Sequence, residues 1–182
     1  MDDGADVDAQ DNYIGRTALI FAASNNPELA RTLIENGAEV NASDDWGRTA
    51  LMQAAENNNP ELAHTLIKNG AEVNASDDSG RTALMEATVN NNPAIVQTLI
   101  ENGAKVDKTA LIEAAETNNP ELAQTLIKQG ARVNARTKPL RRTALMEAAE
   151  NNNPALARTL IENGAKVNAR SNVGSTALME AA

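Results

Sequence analysis

The chain has 182 residues, of which 42% are hydrophobic and 23% are charged, and its formal net charge is -9. It contains no cysteine and a single histidine, which excludes disulfides, thiolate metal sites and two-histidine zinc sites. The N-terminus is acidic, and apolar runs such as Ala18 to Ala23 are far shorter than the roughly 20 residues of a membrane span. We therefore expect a soluble, cytoplasmic chain without a signal peptide or transmembrane segment.

The sequence is a tandem repeat, which is the strongest pattern in it. The triplet Thr-Ala-Leu recurs at spacings of 32, 33, 27, 34 and 33 residues, starting at Thr17, Thr49, Thr82, Thr109, Thr143 and Thr176. A proline follows in each complete unit, and a Gly-Ala pair begins 10 positions after every one of these prolines, from Pro27 to Pro154. Most of the variation in length therefore lies outside the segment from Thr-Ala-Leu to Gly-Ala, which we call the cassette.

The cassette of residues 49–70 predicts two short helices. Thr49 is a good N-cap, and apolar residues then follow on one helical face. The run Asn57-Asn58-Asn59 ends this helix, Asn59 caps the next, and Pro60 suits its first position. Gly70 is expected at the left-handed position after the second helix. The turn-rich stretch that follows predicts an extended connection with a tight turn.

These motifs resemble the ankyrin repeat family, through the Thr-x-Leu opening, Ala-Ala, Leu-Ile, Asn-Gly-Ala and Val-Asn-Ala. The resemblance implies an all-α fold, a curved α-solenoid of stacked helix-turn-helix repeats with β-hairpin fingers, which acts as a protein-binding surface. The chain departs from the family's Thr-Pro-Leu-His opening at Ala50 and Met52, so the family's buried histidine bonds are replaced by apolar packing. The expected single domain, 1–182, comprises a partial tail, five repeats and a partial repeat: 1–11, 12–43, 44–76, 77–107, 108–136, 137–170 and 171–182.

Both ends of the sequence fall inside a repeat. Residues 3–9 match residues 69–75, so the chain begins with the tail of a repeat, and it ends within a first helix. Repeat stacks need polar capping repeats, and an uncapped end would expose Leu178 and Met179. We expect a piece of a longer array or an engineered array. The expected state is a monomer, with end-to-end stacking through the uncapped terminal repeats as the alternative.

Two connections are irregular, and they coincide with a change of charge. Only 6 steps separate Gly103 from Thr109, against 12 from Gly70 to Thr82, so one finger is deleted at 104–108. The next finger, 132–142, carries five basic residues and no acid. Residues 1–107 hold 6 bases and 18 acids, a net -12, whereas residues 108–182 hold 10 bases and 7 acids, a net +3.

Partner-binding residues are expected on the fingertips and on the exposed face of the first helices, as the resemblance implies. Tyr13, Phe21 and Trp46 are the three aromatic residues, and Tyr and Trp are enriched in binding hot spots. The alternative is that these side chains pack on the adjacent finger. The complete expected set is Tyr13, Phe21, Trp46, Asp45, Arg48, Asp78, Arg81, Lys138, Leu140, Arg141 and Arg142.

Two rows of charge are also predicted on the first helices. Glu86, Glu113 and Glu147 share one position, and Arg48, Arg81, Lys108 and Arg142 each precede the capping threonine. We expect two solvent-facing ladders that neutralise each other rather than an acid–base pair. His64 is interpreted as a surface substitution. Asp44-Asp45 and Asp77-Asp78 lack a calcium-loop spacing and suit turns. No catalytic residue, metal site or cofactor is predicted.

The sequence therefore predicts a non-enzymatic module that binds a protein partner and no nucleic acid or membrane. Net negative charge and the absence of aromatic residues near the basic finger argue against nucleic acid. Two alternatives stay open: an anion or nucleotide sensor that uses the basic finger 132–142, and a structural spacer within a longer array.

Overall fold

The computed structural model describes residues 6–182, and the regular structure there consists of short helices and isolated β-bridges. In chain order the helices are α1 Ala18–Asn25, α2 Pro27–Glu35, α3 Ala50–Glu56, α4 Pro60–Lys68, α5 Ala83–Val89, α6 Pro93–Glu101, α7 Ala110–Glu116, α8 Pro120–Lys128, α9 Ala144–Glu150, α10 Pro154–Glu162 and α11 Ala177–Glu180. The predicted all-α architecture of paired helices is confirmed. Asp3, Gly4 and Ala5 of the predicted tail lie outside the described residues.

The described chain divides into two compact units. Unit 1 comprises residues 6–90 and Ala94–Lys105, and unit 2 comprises Asn91–Pro93 and Val106–Ala182. The boundary between residues 105 and 106 falls inside the shortened connection at 104–108. The predicted single domain and its repeat boundaries stay predictions.

The core of each unit is the set of apolar stripes between neighbouring helices. In unit 1, α1 packs against α2 and α3, and α3 packs against α4 and α5; in unit 2, α7 packs against α8 and α9, and α9 against α10 and α11. Ala54, Leu62 and Leu66 have no exposed surface, and Ala114, Leu122 and Leu126 are their counterparts in unit 2. Alanine at these contacts lets short helices approach closely, which compensates for the lack of large aromatic core residues.

Both helices of the cassette begin with the predicted caps. The Thr49 Oγ1 atom accepts a hydrogen bond from the Met52 N–H (3.4 Å), and Asn59 Oδ1 accepts one from the Leu62 N–H (3.0 Å). Pro60 occupies the first turn of α4. Gly70 has φ +88° and lets the Ala71 N–H donate back to Leu66 O (3.0 Å). This bond closes the C-terminal turn of the second helix, as predicted.

Asparagine takes the left-handed position in the turn between the two helices. Asn58 has φ 59°, and the following Asn59 N–H donates to Ala54 O (2.9 Å). The equivalent residues share this conformation: Asn91, Asn118 and Asn152. Asparagine adopts positive φ more readily than most residues, which explains its use here. The first helix pair has one residue fewer in this turn, so α1 extends to Asn25 and Asn26 caps α2 directly.

The fingers of unit 1 are short turns rather than extended hairpins. Each is closed by one antiparallel bridge, between Gln10 and Thr17, Ser43 and Thr49, or Ser76 and Thr82. Asp44 organises its turn, because Oδ1 accepts hydrogen bonds from the Trp46 N–H (3.0 Å) and the Arg48 N–H (2.8 Å). Asp77 does the same in the next finger. The predicted turn role of these aspartates is confirmed.

Adjacent fingers in unit 1 are joined through their backbones. The Asp45 N–H donates to Ile14 O (3.0 Å), and the Asp78 N–H donates to Trp46 O (2.9 Å). Gly15 has φ +66°, and a Cβ atom there would lie 2.3 Å from Asp45 Oδ1. The positive φ angle therefore favours glycine at this position, and a larger residue would also have to displace the Asp45 side chain.

At three finger bases in residues 6–182, an asparagine side chain links the finger to the end of the next helix pair. Asn41 Nδ2 donates to Gly70 O (3.0 Å), while Asn41 Oδ1 accepts from the Glu72 N–H (2.8 Å). We call this pair of bonds the asparagine bridge. It recurs at Asn74 in unit 1 and at Asn134 in unit 2. An amide side chain is needed because it donates and accepts at the same time.

The predicted threonine cap is wrong at two of the first helices. Thr109 has φ -99° and ψ -15°, and its side chain makes no capping bond. Its hydroxyl and N–H instead donate to Asp107 Oδ1, because the shortened connection brings that carboxylate to the start of α7. Burial alone would raise the pKa of Asp107, but these hydrogen bonds outweigh it and lower the pKa. Thr176 also makes no side-chain capping bond.

We predict that Asn41→Ala lowers the free energy of unfolding by about 1 to 3 kcal/mol, since it leaves two backbone groups without their partner. Urea denaturation measures the change. The matched control is Asn168→Ala, because Asn168 has the same place in the motif but makes no hydrogen bond among residues 6–182; it should change stability by less than about 0.5 kcal/mol. Equal losses for the two variants would contradict a specific role for the bridge.

Candidate functional site

Arginines just before the capping threonines pair with glutamates on the helices that follow. Arg81 Nε donates to Glu86 Oε1 (2.7 Å) and Arg81 Nη2 donates to Glu86 Oε2 (3.0 Å). In the second finger Arg48 pairs with Glu56. Gln53, at the position of Glu86, accepts from Arg48 Nη2 (2.7 Å) in the amide orientation that satisfies both of its neighbours. The pairing that the sequence predicts is therefore present in unit 1.

Arg142 is the centre of the corresponding network in unit 2. Its Nε donates to Glu147 Oε1 (2.5 Å), its Nη2 contacts Glu150, and its Nη1 lies 3.4 Å from Glu180 Oε1. The hydrogen bond to Glu147 raises the pKa of Arg142, with a smaller opposing effect of burial. Burial, and then the charge of Glu147, raises the pKa of Glu116. Arg142 is thus held in place by carboxylates of its own unit.

The prediction of solvent-facing ladders is wrong at two of its three glutamates, because Glu86 and Glu147 are buried, whereas Glu113 is half-buried. Glu86 and Glu147 are each only 7% exposed, and Gln53 is also buried. The alanine-rich packing of neighbouring first helices covers this position, so the carboxylates of Glu86 and Glu147 each need the paired arginine. The row of cations is interrupted at Lys108, which is exposed and forms no salt bridge with the described residues.

An open groove lies beside this ladder in unit 1, between the fingertips and the first helices. It has a volume of about 510 Å³, and four of the predicted residues line it: Trp46, Arg48, Asp78 and Arg81. Glu56, Asp77, Ser79, Glu86, Val89 and Asn90 complete the lining. We call it the Trp46 groove. Trp46 is 51% exposed and Val89 is 45% exposed, so the groove presents two apolar side chains among charged ones.

Val89 is a groove residue that the sequence reading missed. It is the last residue of α5, at the position that glutamate occupies in α3, α7 and α9. The signal was present in the sequence as a departure from the repeat, because a position that is glutamate in α3, α7 and α9 becomes apolar in the repeat that follows Trp46. Comparing the repeats position by position, and not only by residue type, would have found it.

The other predicted residues of unit 1 lie outside this groove. Tyr13 is a fingertip residue that is 92% exposed, and Phe21 lies on α1 beneath Arg16, whose guanidinium carbon is 5.4 Å from the ring centre. Phe21 and Arg16 border a separate shallow cavity of about 410 Å³. Asp45 is exposed, but its carboxylate lies against Gly15 and its N–H serves the finger-to-finger bond.

The predicted residues of unit 2 form a separate cluster on the finger 132–142. Lys138, Leu140 and Arg141 are exposed at its tip, and the backbone at Arg141 has φ 57°. Arg142 differs from them, because its guanidinium is already bound by three carboxylates. His64 is exposed on α4, as expected for a surface substitution.

Neither a metal-binding cluster nor a membrane-spanning helix is found among the described residues. Within residues 6–182 there is no group of three or more histidine, aspartate or glutamate side chains placed to hold a metal ion. Likewise, no helix in this range combines the length and the apolar content that crossing a bilayer requires.

We predict that replacing an arginine lowers the free energy of unfolding most where the arginine compensates a buried negative charge. Arg142→Met leaves buried Glu147 uncompensated and should lower the free energy of unfolding by about 3 kcal/mol. Arg48→Met faces neutral Gln53 and a half-exposed Glu56, so it should cost at most about 1 kcal/mol. Urea denaturation of both variants tests the order, and a larger loss for Arg48→Met would refute it.

Comparison with known proteins agrees with this architecture. A family model described as ankyrin repeats in three copies matches residues 1–77, 41–110, 73–137 and 111–182. Among solved structures, the crystal structure of the ankyrin repeat domain of Bcl-3, described as a unique member of the IκB protein family, is similar with a TM-score of 0.77 and 31% identity. The similarity covers 92% of this chain and 78% of that one. No curated protein sequence matches. The chain belongs to the ankyrin repeat family.

Proposed function

We propose that this chain is a non-catalytic module that binds a segment of a protein partner in the Trp46 groove. Ankyrin repeats are in general protein–protein interaction modules, and the Bcl-3 domain is a similar repeat array. We choose this site because Trp46 and Val89 are both half-exposed and lie in one open groove. Tryptophan with a fixed backbone is a typical anchor of protein interfaces.

The groove is held in shape before a partner arrives. The Trp46 N–H donates to Asp44 Oδ1 (3.0 Å), and Trp46 O accepts from the Asp78 N–H (2.9 Å), so the tryptophan backbone is fixed on both sides. Arg81 is held by Glu86 through two hydrogen bonds. A fixed site loses less conformational entropy on binding, which favours affinity.

The charges of the groove indicate which partner it suits. Two arginines and four carboxylates line it, a net count of -2. Because both arginines are already paired, the unbalanced charge is that of the fingertip aspartates. We propose a partner segment with an apolar side chain for Trp46 and Val89 and a lysine or arginine beside it.

The proposal also covers the oligomeric state of the chain, its compartment and its class of partner. We propose a monomer in the cytoplasm that binds protein and not nucleic acid. The formal net charge of -9 supports the last part, because phosphate backbones are bound by clustered positive charge.

A random peptide library displayed on phage and selected on the whole chain tests the proposal. We predict that the selected peptides carry an apolar residue next to a lysine or arginine. Trp46→Ala should weaken their binding by about tenfold or more, since hot-spot residues contribute 2 kcal/mol or more. Titration calorimetry with the synthetic peptides measures the loss.

The matched control is Leu140→Ala, because Leu140 has the fingertip place of Trp46 in unit 2 and a similar exposure of 52%. It should leave the affinity of the same peptides within about twofold. Thermal unfolding of both variants checks that each is folded. Peptides with an apolar residue next to a lysine or arginine that bind Trp46→Ala as well as the unchanged chain would refute the groove as the site.

A further inference from the structure

The two fingers of unit 2 carry basic residues at positions where fingers of unit 1 carry glutamate or serine. Glu39 and Glu72 follow two of the Gly-Ala pairs in unit 1, where the pair at 103–104 is followed by Lys105, whereas Arg132 and Lys166 stand there in unit 2. At the position two residues before the turn, unit 1 has serines, whereas unit 2 has Arg136 and Arg170. Neither 131–142 nor 165–175 contains an acid. We call these two segments the basic finger pair.

The two fingers of the basic finger pair are held together mainly by hydrogen bonds that involve backbone atoms, and not by their charged side chains. Asn134 Nδ2 donates to Gly164 O (2.9 Å), and Asn134 Oδ1 accepts from the Lys166 N–H (2.8 Å). The Asn172 N–H donates to Leu140 O (2.8 Å) at the tips. The two fingers are therefore held side by side while their cationic side chains take no part in the attachment, except where Arg136 Nη1 donates to Arg170 O (3.2 Å).

These cations lack the carboxylate partners that the arginines before the capping threonines have. Arg142, Arg81 and Arg48 each form salt bridges, but no salt bridge among residues 6–182 involves a cation of the basic finger pair other than Arg142. Arg136, Lys166 and Arg170 surround an open cavity of about 530 Å³ whose remaining lining is apolar or neutral. Like charges held together without a counter-charge form a positive site in an otherwise acidic protein.

Apolar side chains stand among these cations. Leu140, Val167 and Val173 are exposed, and Val173 has 82% of its surface free. The combination suits an acidic protein segment with interspersed apolar residues. Nucleic acid fits less well, because unit 2 has no aromatic side chain on which a base could stack and the whole chain is negative.

We propose that the basic finger pair is a second binding surface, for an acidic segment of a partner protein. It goes beyond the function proposed for the Trp46 groove, since it lies in the other unit and selects the opposite charge. The chain would thus hold a basic segment at unit 1 and an acidic segment at unit 2.

Fluorescence anisotropy with a labelled peptide of alternating glutamate and leucine tests this surface in the whole chain. The triple variant Arg136→Glu, Lys166→Glu, Arg170→Glu should weaken binding by about tenfold or more, and added salt should weaken binding to the unchanged chain. The control with the same change of net charge is Lys68→Glu, Lys128→Glu, Arg158→Glu, on exposed second-helix positions. It should change the affinity less than about threefold, because those residues lie outside both finger segments.

Every other outcome overturns the proposal. No binding of the peptide, or equal weakening by both triple variants, would show that the fingers are not a site. Tighter binding of single-stranded DNA or of inorganic phosphate, lost in the finger variant, would make the surface a general anion site. Trp46→Ala should bind the acidic peptide normally, so this surface and the Trp46 groove can fail independently.

Discussion

The asparagine bridge is the contact on which the regularity of this protein depends. A repeat of two short helices cannot bury its own apolar face, and the turn after its second helix exposes backbone groups. Asn41 supplies a donor to one of these groups and an acceptor to another, and both belong to the next repeat. The apolar stripes provide most of the buried surface, while the bridge sets the register in which neighbours meet. Because the bridge uses only backbone groups of the neighbour, side chains elsewhere on the finger are free to vary.

That freedom explains how one scaffold carries two different surfaces. Glu72 and Lys166 both donate their backbone N–H to the preceding asparagine, so an acid and a base serve the bridge equally well. The fingertips likewise join through backbone atoms at Trp46 and at Leu140. Charge can therefore vary at finger positions whose side chains take no part in these contacts. The buried ladder on the first helices has no such freedom, because Glu86 and Glu147 need their arginines.

The sequence predicted what depends on neighbours along the chain. Thr49, Asn59 and Gly70 act through bonds within a few residues, and their roles follow from local stereochemistry. What depends on residues about 30 positions away was not predicted. The burial of Glu86 is decided by the packing of adjacent helices, and the role of Asn41 by a turn in the next repeat. The cap at Thr109 is lost because of the shortened connection. The sequence shows how short this connection is, but not the course of its backbone.

The same distinction holds for the candidate site. Trp46, Arg48, Asp78 and Arg81 were selected singly, by residue type and by resemblance, and the structure brings them to one groove. Val89 lay outside that selection because valine on a helix is ordinarily a core residue. Its exposure depends on the repeat geometry, which places the last position of the first helix at the surface.

Residue-resolved amide hydrogen exchange of the whole chain tests the central claim most directly. Glu72 and Lys166 are exposed residues in loops, and loop amides ordinarily exchange fast. If the asparagine bridge joins neighbouring repeats, their amides should be protected to nearly the level of the adjacent helices, and Asn41→Ala should remove the protection at Glu72 alone. Fast exchange of both amides in the unchanged protein would contradict the account.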